Sequence, residues 1–341
     1  MKRTILRVFP IVAVIAGVAF TVNKAVSKKV DHREHEIAVS VHESQGHKHA
    51  SACGDNELRL DALDAVLNMD EVRAMPILLE VLERHGECDV EVRKKAVFMV
   101  SQQEIYETVA ILEGVVHNDP SLEVQEQAVF WLSQVDAEEA VTALESVLFQ
   151  SHRAELREKA IFALSQHGSG QAQQILRMYV RSDAPEELRE NAIFWIGQEG
   201  SDDDQMFLAE LYADLGSEAL KEKVIFAMSE RANDASRRWL LEVANNRSES
   251  IELRKNAVFW LSQQGEYDAN QFAALYRDAQ EEIKEQVLFA LSQLDDPDAV
   301  ADLIEIARNE TNTDLRKNAM FWLGQSSDPR AAEFLAEVIG R

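Results

Sequence analysis

Five of the nine histidines lie in one short stretch: His32, His35, His42, His47 and His49. Neutral imidazole binds borderline metals, and the H-x-x-H and H-x-H spacings are ones that a flexible segment can fold round an ion. No cysteine is interleaved and no scaffold fixes the geometry, so a solvated linker is the competing reading. The two cysteines, Cys53 and Cys88, lack the partners that zinc or catalysis needs. In an oxidising compartment they would form a disulfide stapling the N-terminal cap, provided their loops bring the Cα atoms within about 7 Å. The other four histidines, His85, His117, His152 and His167, share no position in the pattern described next. No phosphate loop, nucleophile elbow or paired catalytic motif is present, so an enzyme is disfavoured and no cofactor is implied.

After that stretch the chain is organised as a repeat. The stretch Leu253–Gln263, LRKNAVFWLSQ, recurs along the chain, with its phenylalanine at Phe98, Phe130, Phe162, Phe194, Phe226, Phe259, Phe289 and Phe321. A period of roughly 32 residues signals an array of stacked units. Each unit divides into two helical patterns. In one example, 135–150 places Ala140, Leu144 and Leu148 on one face, and 154–166 follows as the second helix. At about 100° per residue, Leu156, Ala160, Ala163 and Leu164 form a stripe that must be buried against the first helix. Ile161 and Phe162 flank that stripe, so each phenylalanine is expected to pack against the valine or isoleucine of the next unit.

The second helix resembles that of the HEAT repeats, in particular the short kind first associated with the phycobilisome lyases. That pattern reads roughly valine-arginine, two spacers, alanine, then alanine-leucine-glycine. Here Leu156, Arg157, Ala160, Ala163, Leu164 and Ser165 occupy those places. The resemblance covers about 56–341 and implies an all-α fold: a right-handed α-α superhelix, a HEAT-repeat solenoid of about eight helix pairs plus capping half-repeats. Asn56–Leu67, with Asp64 at the phenylalanine position, and Asp328–Gly340, a first helix without its second, suit the two caps. The fold hosts scaffolds, lyases and hydroxylases alike, so chemistry must be argued from residues. The His-Glu pairs His35-Glu36 and His42-Glu43 are similar to those holding iron in the HEAT-repeat deoxyhypusine hydroxylases, but they stand outside the repeats and imply no function.

Several columns emerge when the units are aligned. Five residues before each phenylalanine stand Arg93, Gln125, Arg157, Arg189, Lys221, Arg254, Lys284 and Arg316, a ladder expected to bridge to acids or loops of adjoining repeats rather than to bind anions. The Ser-Gln ending near each second helix's C-terminus is expected to satisfy loose carbonyls through its amide. After the phenylalanine, Met99, Trp131, Ala163, Trp195, Ala227, Trp260, Ala290 and Trp322 alternate large with small, suggesting a two-repeat building unit. Each of these tryptophans has an amide four residues earlier (Gln127, Asn191, Asn256, Asn318), expected to accept the indole N–H. Four residues before the phenylalanine stand Lys94, Glu126, Glu158, Glu190, Glu222, Lys255, Glu285 and Lys317. They lie opposite the core stripe, on the helix that the resemblance places along the concave side, and form the candidate partner-binding face.

The net charge is -25, while residues 1–50 hold eight Lys/Arg and four Asp/Glu, so the repeats are still more acidic. Nucleic acid, bound by neutralising phosphates, is excluded as a ligand. Lys2, Arg3 and Arg7 precede a charge-free run, Val8–Val22, which reads as a signal peptide or membrane anchor. The expected organisation is 1–22 signal or anchor, 23–55 polar His-rich linker and 56–341 solenoid. The expected location is extracytoplasmic, in the periplasm or anchored to the inner membrane facing it, with membrane contact only through the N-terminal segment. The favoured function is a non-enzymatic scaffold with a protein or peptide partner on the concave face. A bilin-lyase-like or other small-ligand HEAT enzyme, which would need a chromophore pocket, and a metal-binding accessory protein using the tail are the alternatives.

Overall fold

A computed structural model describes residues 56–103, 107–199, 201–264, 269–294 and 296–340. The histidines of the tail, Cys53 and the charge-free run all lie outside the described residues. The chain forms two compact units, 1–64 and 65–341. The boundary falls within helix α1 (Asn56–Val66), which carries Asp64.

The second unit is a stack of helix pairs, and among the described residues there is no strand. The first helices are α2 (Glu71–Leu82), α4 (Thr108–Asn118), α6 (Glu138–Gln150), α8 (Gly170–Arg181), α10 (Asp202–Asp214), α12 (Asp234–Asn245), α14 (Ala269–Asp278) and α16 (Pro297–Asn309). Their second helices are α3 (Val90–Ser101), α5 (Leu122–Leu132), α7 (Ala154–His167), α9 (Glu186–Glu199), α11 (Glu218–Ser229), α13 (Ile251–Gln263), α15 (Glu281–Gln293) and α17 (Thr313–Leu323). One more first helix, α18 (Pro329–Ile339), is the last described element. The fold is therefore the all-α repeat superhelix expected, with eight pairs.

Local sequence sets the helix ends. Ser201 and Asn233 make capping boxes with Asp204 and Ser236, while Ser250 and Asn312 accept from the N–H groups of Leu253 and Leu315. Gly168 ends α7 at φ 69°, a left-handed conformation that glycine adopts without a Cβ penalty. At the other ends of the second helices the serine, not the amide, meets the loose carbonyl. Ser101, Ser133, Ser165, Ser229, Ser262 and Ser292 donate to the phenylalanine carbonyl three residues earlier at 2.6–2.8 Å. The following glutamines of five repeats donate to the serine Oγ at 3.0–3.3 Å and lie towards solvent. A short hydroxyl reaches its own last turn, whereas a glutamine overshoots it.

The predicted stripe is the core. Leu156, Ala160, Ala163 and Leu164 are buried, as is the flanking column of Val97, Val129, Ile161, Ile193, Ile225, Val258 and Leu288. Most of the phenylalanine flank is half-buried, and it makes aromatic contacts from repeat to repeat. Phe98, Phe162, Phe226 and Phe289 meet the tryptophan of the next repeat, with ring centroids 4.9–5.5 Å apart. Phe194 and Phe259, in tryptophan repeats, instead stack on the next phenylalanine at 6.2 Å. Large-small alternation thus selects the pairing, because an indole fills the space beside a neighbour's alanine. Each aromatic pair adds about 0.5–1.5 kcal/mol beyond its buried area. Where serine is replaced by Gly197, α9 approaches α11 so closely that a Cβ there would lie 2.6 Å from the Cβ of Ala227.

Candidate partner-binding face

The second helices form one continuous row, each packed on the next. On its surface lie the eight residues of the candidate face. Lys94, at one end, hydrogen-bonds Glu91 at 2.9 Å and reaches Glu123 at 3.5 Å, and the bond to Glu91 is the main cause that raises its pKa. Lys255 and Lys317 turn back onto Glu252 and Asp314 of their own helices at 3.2 and 3.1 Å. Glu126 and Glu190 are met from the following repeat by Lys159 and Lys223 at 3.9 and 3.4 Å. Glu158, Glu222 and Glu285 are exposed and take part in no ion pair among the described residues.

The lysines Lys159 and Lys223 were missed in reading the column alone, though they have a sequence signal. The position three before the phenylalanine reads Lys95, Gln127, Lys159, Asn191, Lys223, Asn256, Gln286 and Asn318. Its first six members alternate lysine with amide, in step with the alternation of Met or Ala with Trp. A cleft of about 420 Å³ opens across α3, α5 and α7, lined by Lys94, Glu126, Gln127, Phe130, Lys159 and Phe162.

The amides do not accept the indole N–H groups. The indole nitrogens of Trp131 and Trp322 are buried without a hydrogen-bond partner. Each ring packs instead on the phenylalanine of the preceding repeat. Gln127, Asn191, Asn256 and Asn318 are half-buried and make no side-chain hydrogen bond among the described residues.

The basic ladder is consumed internally and offers no anion site. Arg157, Arg189, Arg254 and Arg316 donate through Nε to Leu148, Val180, Ala244 and Ala307 carbonyls at 2.8–3.1 Å, capping the first helix of their own repeat. Gln125 does the same to Val116 at 2.8 Å. Arg93, Lys221 and Lys284 bridge forward to Asp119, Glu249 and Glu310 of the next repeat, as expected.

On the first-helix side, Tyr276, Arg277, Lys284, Asp302, Glu305 and Glu310 border a cleft of about 480 Å³. Glu310 accepts from the backbone N–H of Asn312, the Tyr276 hydroxyl and Lys284, which hold its pKa down to about 2. Burial and the charges of Glu305 and Asp298 push Asp302 up to about 6. A carboxyl whose folded pKa is raised binds its proton more tightly in the native state, so stability falls as pH rises from about 4 to about 6 and is flat above. Asp302→Asn is expected to remove that slope and melt higher than the parent above pH 6. Thermal melts of both proteins between pH 4 and 7 check this, and parallel curves would refute it.

Among the described residues no group of three or more His, Cys, Asp or Glu side chains could hold a metal ion, and no helix is long and apolar enough to cross a membrane. His167 contacts the Val135 carbonyl at 3.2 Å and His117 approaches Glu113 at 3.9 Å, in separate places. Cys88 sits in the short turn Glu87–Asp89.

A family model for HEAT repeats matches residues 109–197 and 269–341. No curated sequence matches the chain. Similar solved structures include human deoxyhypusine hydroxylase in complex with glycerol, 18% identical over 79% of this chain and 97% of that one, with a TM-score of 0.32. YibA of Escherichia coli is 14% identical over 78% of this chain and 96% of that one, at a TM-score of 0.38. The complex of CpcE and CpcF of phycocyanin lyase from Nostoc gives 16% identity, 72% and 92% coverage, and a TM-score of 0.32. Likeness at this level says nothing of substrate or partner.

Proposed function

We propose, from the premise that this chain is a HEAT-repeat protein, that it is a non-enzymatic scaffold holding a protein partner along the row of second helices. The observation that carries the reading is the set of exposed, unpaired carboxylates Glu158, Glu222 and Glu285 along that row. Every second helix packs closely on its successor, whereas successive first helices meet more sparsely, mainly within the runs α4, α6, α8 and α14, α16, α18. That difference supports a curved stack with the second helices on the inside, where a partner meets several repeats at once. Between successive first helices, Arg177 pairs with Asp204, Arg181 with Glu210 and Arg308 with Glu337, internal ion pairs that support the opposite face being structural.

The same proposal places the protein outside the cytoplasm, tethered or exported through 1–22, with 23–55 as linker and 56–341 as the binding array. What supports this is the charge-free Val8–Val22 after basic residues, with Cys53 and Cys88 as a disulfide suited to that compartment.

Affinity capture from the cell envelope, with the parent and a Glu158→Lys, Glu222→Lys, Glu285→Lys variant compared by mass spectrometry, tests the function. A stoichiometric protein recovered by the parent and lost by the variant, with both melting alike, is the expected result. Equal recovery by both moves the binding surface elsewhere.

A further inference from the structure

Resting on that reading, we infer that the second-helix face binds an extended basic polypeptide segment, reading its main chain with amides and its side chains with carboxylates. Gln127, Asn191, Asn256 and Asn318 are half-buried and have no hydrogen-bond partner among the described residues. A primary amide offers one acceptor and two donors, the complement of a peptide group's N–H and C=O. None of these amide groups is sealed from solvent, so a row of them in register is open to such a partner. Each amide stands one helical turn before a half-buried tryptophan, and each tryptophan packs edge-on against its own phenylalanine at 5.0–5.2 Å. Gln127 shares its cleft with Phe130 and Phe162, so an apolar wall stands beside that amide.

Charge decides the segment's chemistry. In the column four before the phenylalanine, the carboxylates of the amide-bearing repeats, Glu126 and Glu190, are already met by Lys159 and Lys223, and all three lysines are paired. Only Glu158, Glu222 and Glu285 are left, so every uncancelled charge of the column is negative. They stand in the third, fifth and seventh repeats, between the amides. Helices pack about 8–10 Å apart, so these carboxylates recur about every 16–20 Å. An extended chain advances about 3.3–3.6 Å per residue, which sets cationic side chains about five or six residues apart.

Fluorescence anisotropy with the full chain tests this, using a labelled 20-residue Gly/Ser/Thr peptide with lysine at every sixth position. Comparison peptides carry the same lysines clustered, or glutamate in place of lysine. The spaced peptide is expected to bind at least about tenfold more tightly than the clustered one, and the glutamate peptide not at all. Asn191→Ala with Asn256→Ala is expected to weaken binding by about tenfold at unchanged salt dependence. Glu158→Gln, Glu222→Gln, Glu285→Gln is expected to weaken it by a similar factor and flatten the salt dependence. Melting curves matching the parent's establish that the variants are folded.

Equal binding of the spaced and clustered peptides, or amide variants that bind like the parent, would overturn the inference. If the spaced peptide does not bind while the captured protein is still lost by the Glu→Lys variant, the scaffold reading stands with a folded partner and this inference falls.

Discussion

Arg93→Ala is expected to lower the free energy of unfolding by about 3–5 kcal/mol, the range for removing one partner of a buried ion pair. Arg93 and Asp119 have side chains only 1% and 3% exposed, and they meet through two bonds, Nε to Oδ2 at 2.7 Å and Nη2 to Oδ1 at 3.1 Å. Arg93 also donates to the carbonyls of Arg84 at 2.6 Å and Gly86 at 3.2 Å. Alanine would leave the Asp119 carboxylate buried against a void, with only the Ser121 N–H, at 2.8 Å, on its Oδ1. Arg93→Lys is expected to lose much of the same stability, because an ammonium cannot reproduce the fork. Arg93→Met with Asp119→Leu removes both charges and is expected to recover most of the loss. Urea denaturation of the three variants checks the prediction. A loss below about 1 kcal/mol for Arg93→Ala would show that water enters the site and solvates the acid.

The second large effect concerns Tyr179, on α8, which is fully buried. Its ring meets Phe149 edge-on at 5.3 Å, and the Arg157 guanidinium lies 5.6 Å from its centroid. Tyr179→Ala removes a whole aromatic side chain from a closed site and is expected to cost about 3–5 kcal/mol. The hydroxyl contributes in the opposite sense. It has no hydrogen-bond partner of full geometry, and burial raises its pKa, although the Arg157 guanidinium beside it works against that shift by its charge and by a weak hydrogen bond. Tyr179→Phe is therefore expected to leave stability unchanged or raise it, since an unfilled buried hydroxyl carries its desolvation cost with no return. Paired melts of the two variants separate ring from hydroxyl. A phenylalanine variant that melts well below the parent would mean that the hydroxyl holds a bridging water.

Much of this protein is written in its local pattern. The recurring unit predicts eight helix pairs, because a helix's buried stripe depends on residues three and four apart in one segment. Leu156, Ala160, Ala163 and Leu164 were assignable to the core on that basis, and so was the internal role of the basic column. The candidate face was legible as a column too, since a helix has only one side opposite its core.

What tertiary structure decided is which repeat meets which. Lys159 cancels Glu126 and Lys223 cancels Glu190 across 33 residues of chain, leaving three carboxylates uncancelled that look identical to the others in the column. Phenylalanine meets the next repeat's tryptophan or phenylalanine, and the indole N–H groups find no partner in the amides that precede them. Each of these depends on the stagger and rotation between successive second helices. Those quantities arise from packing bulky against small residues between helices, so no periodicity within one helix encodes them.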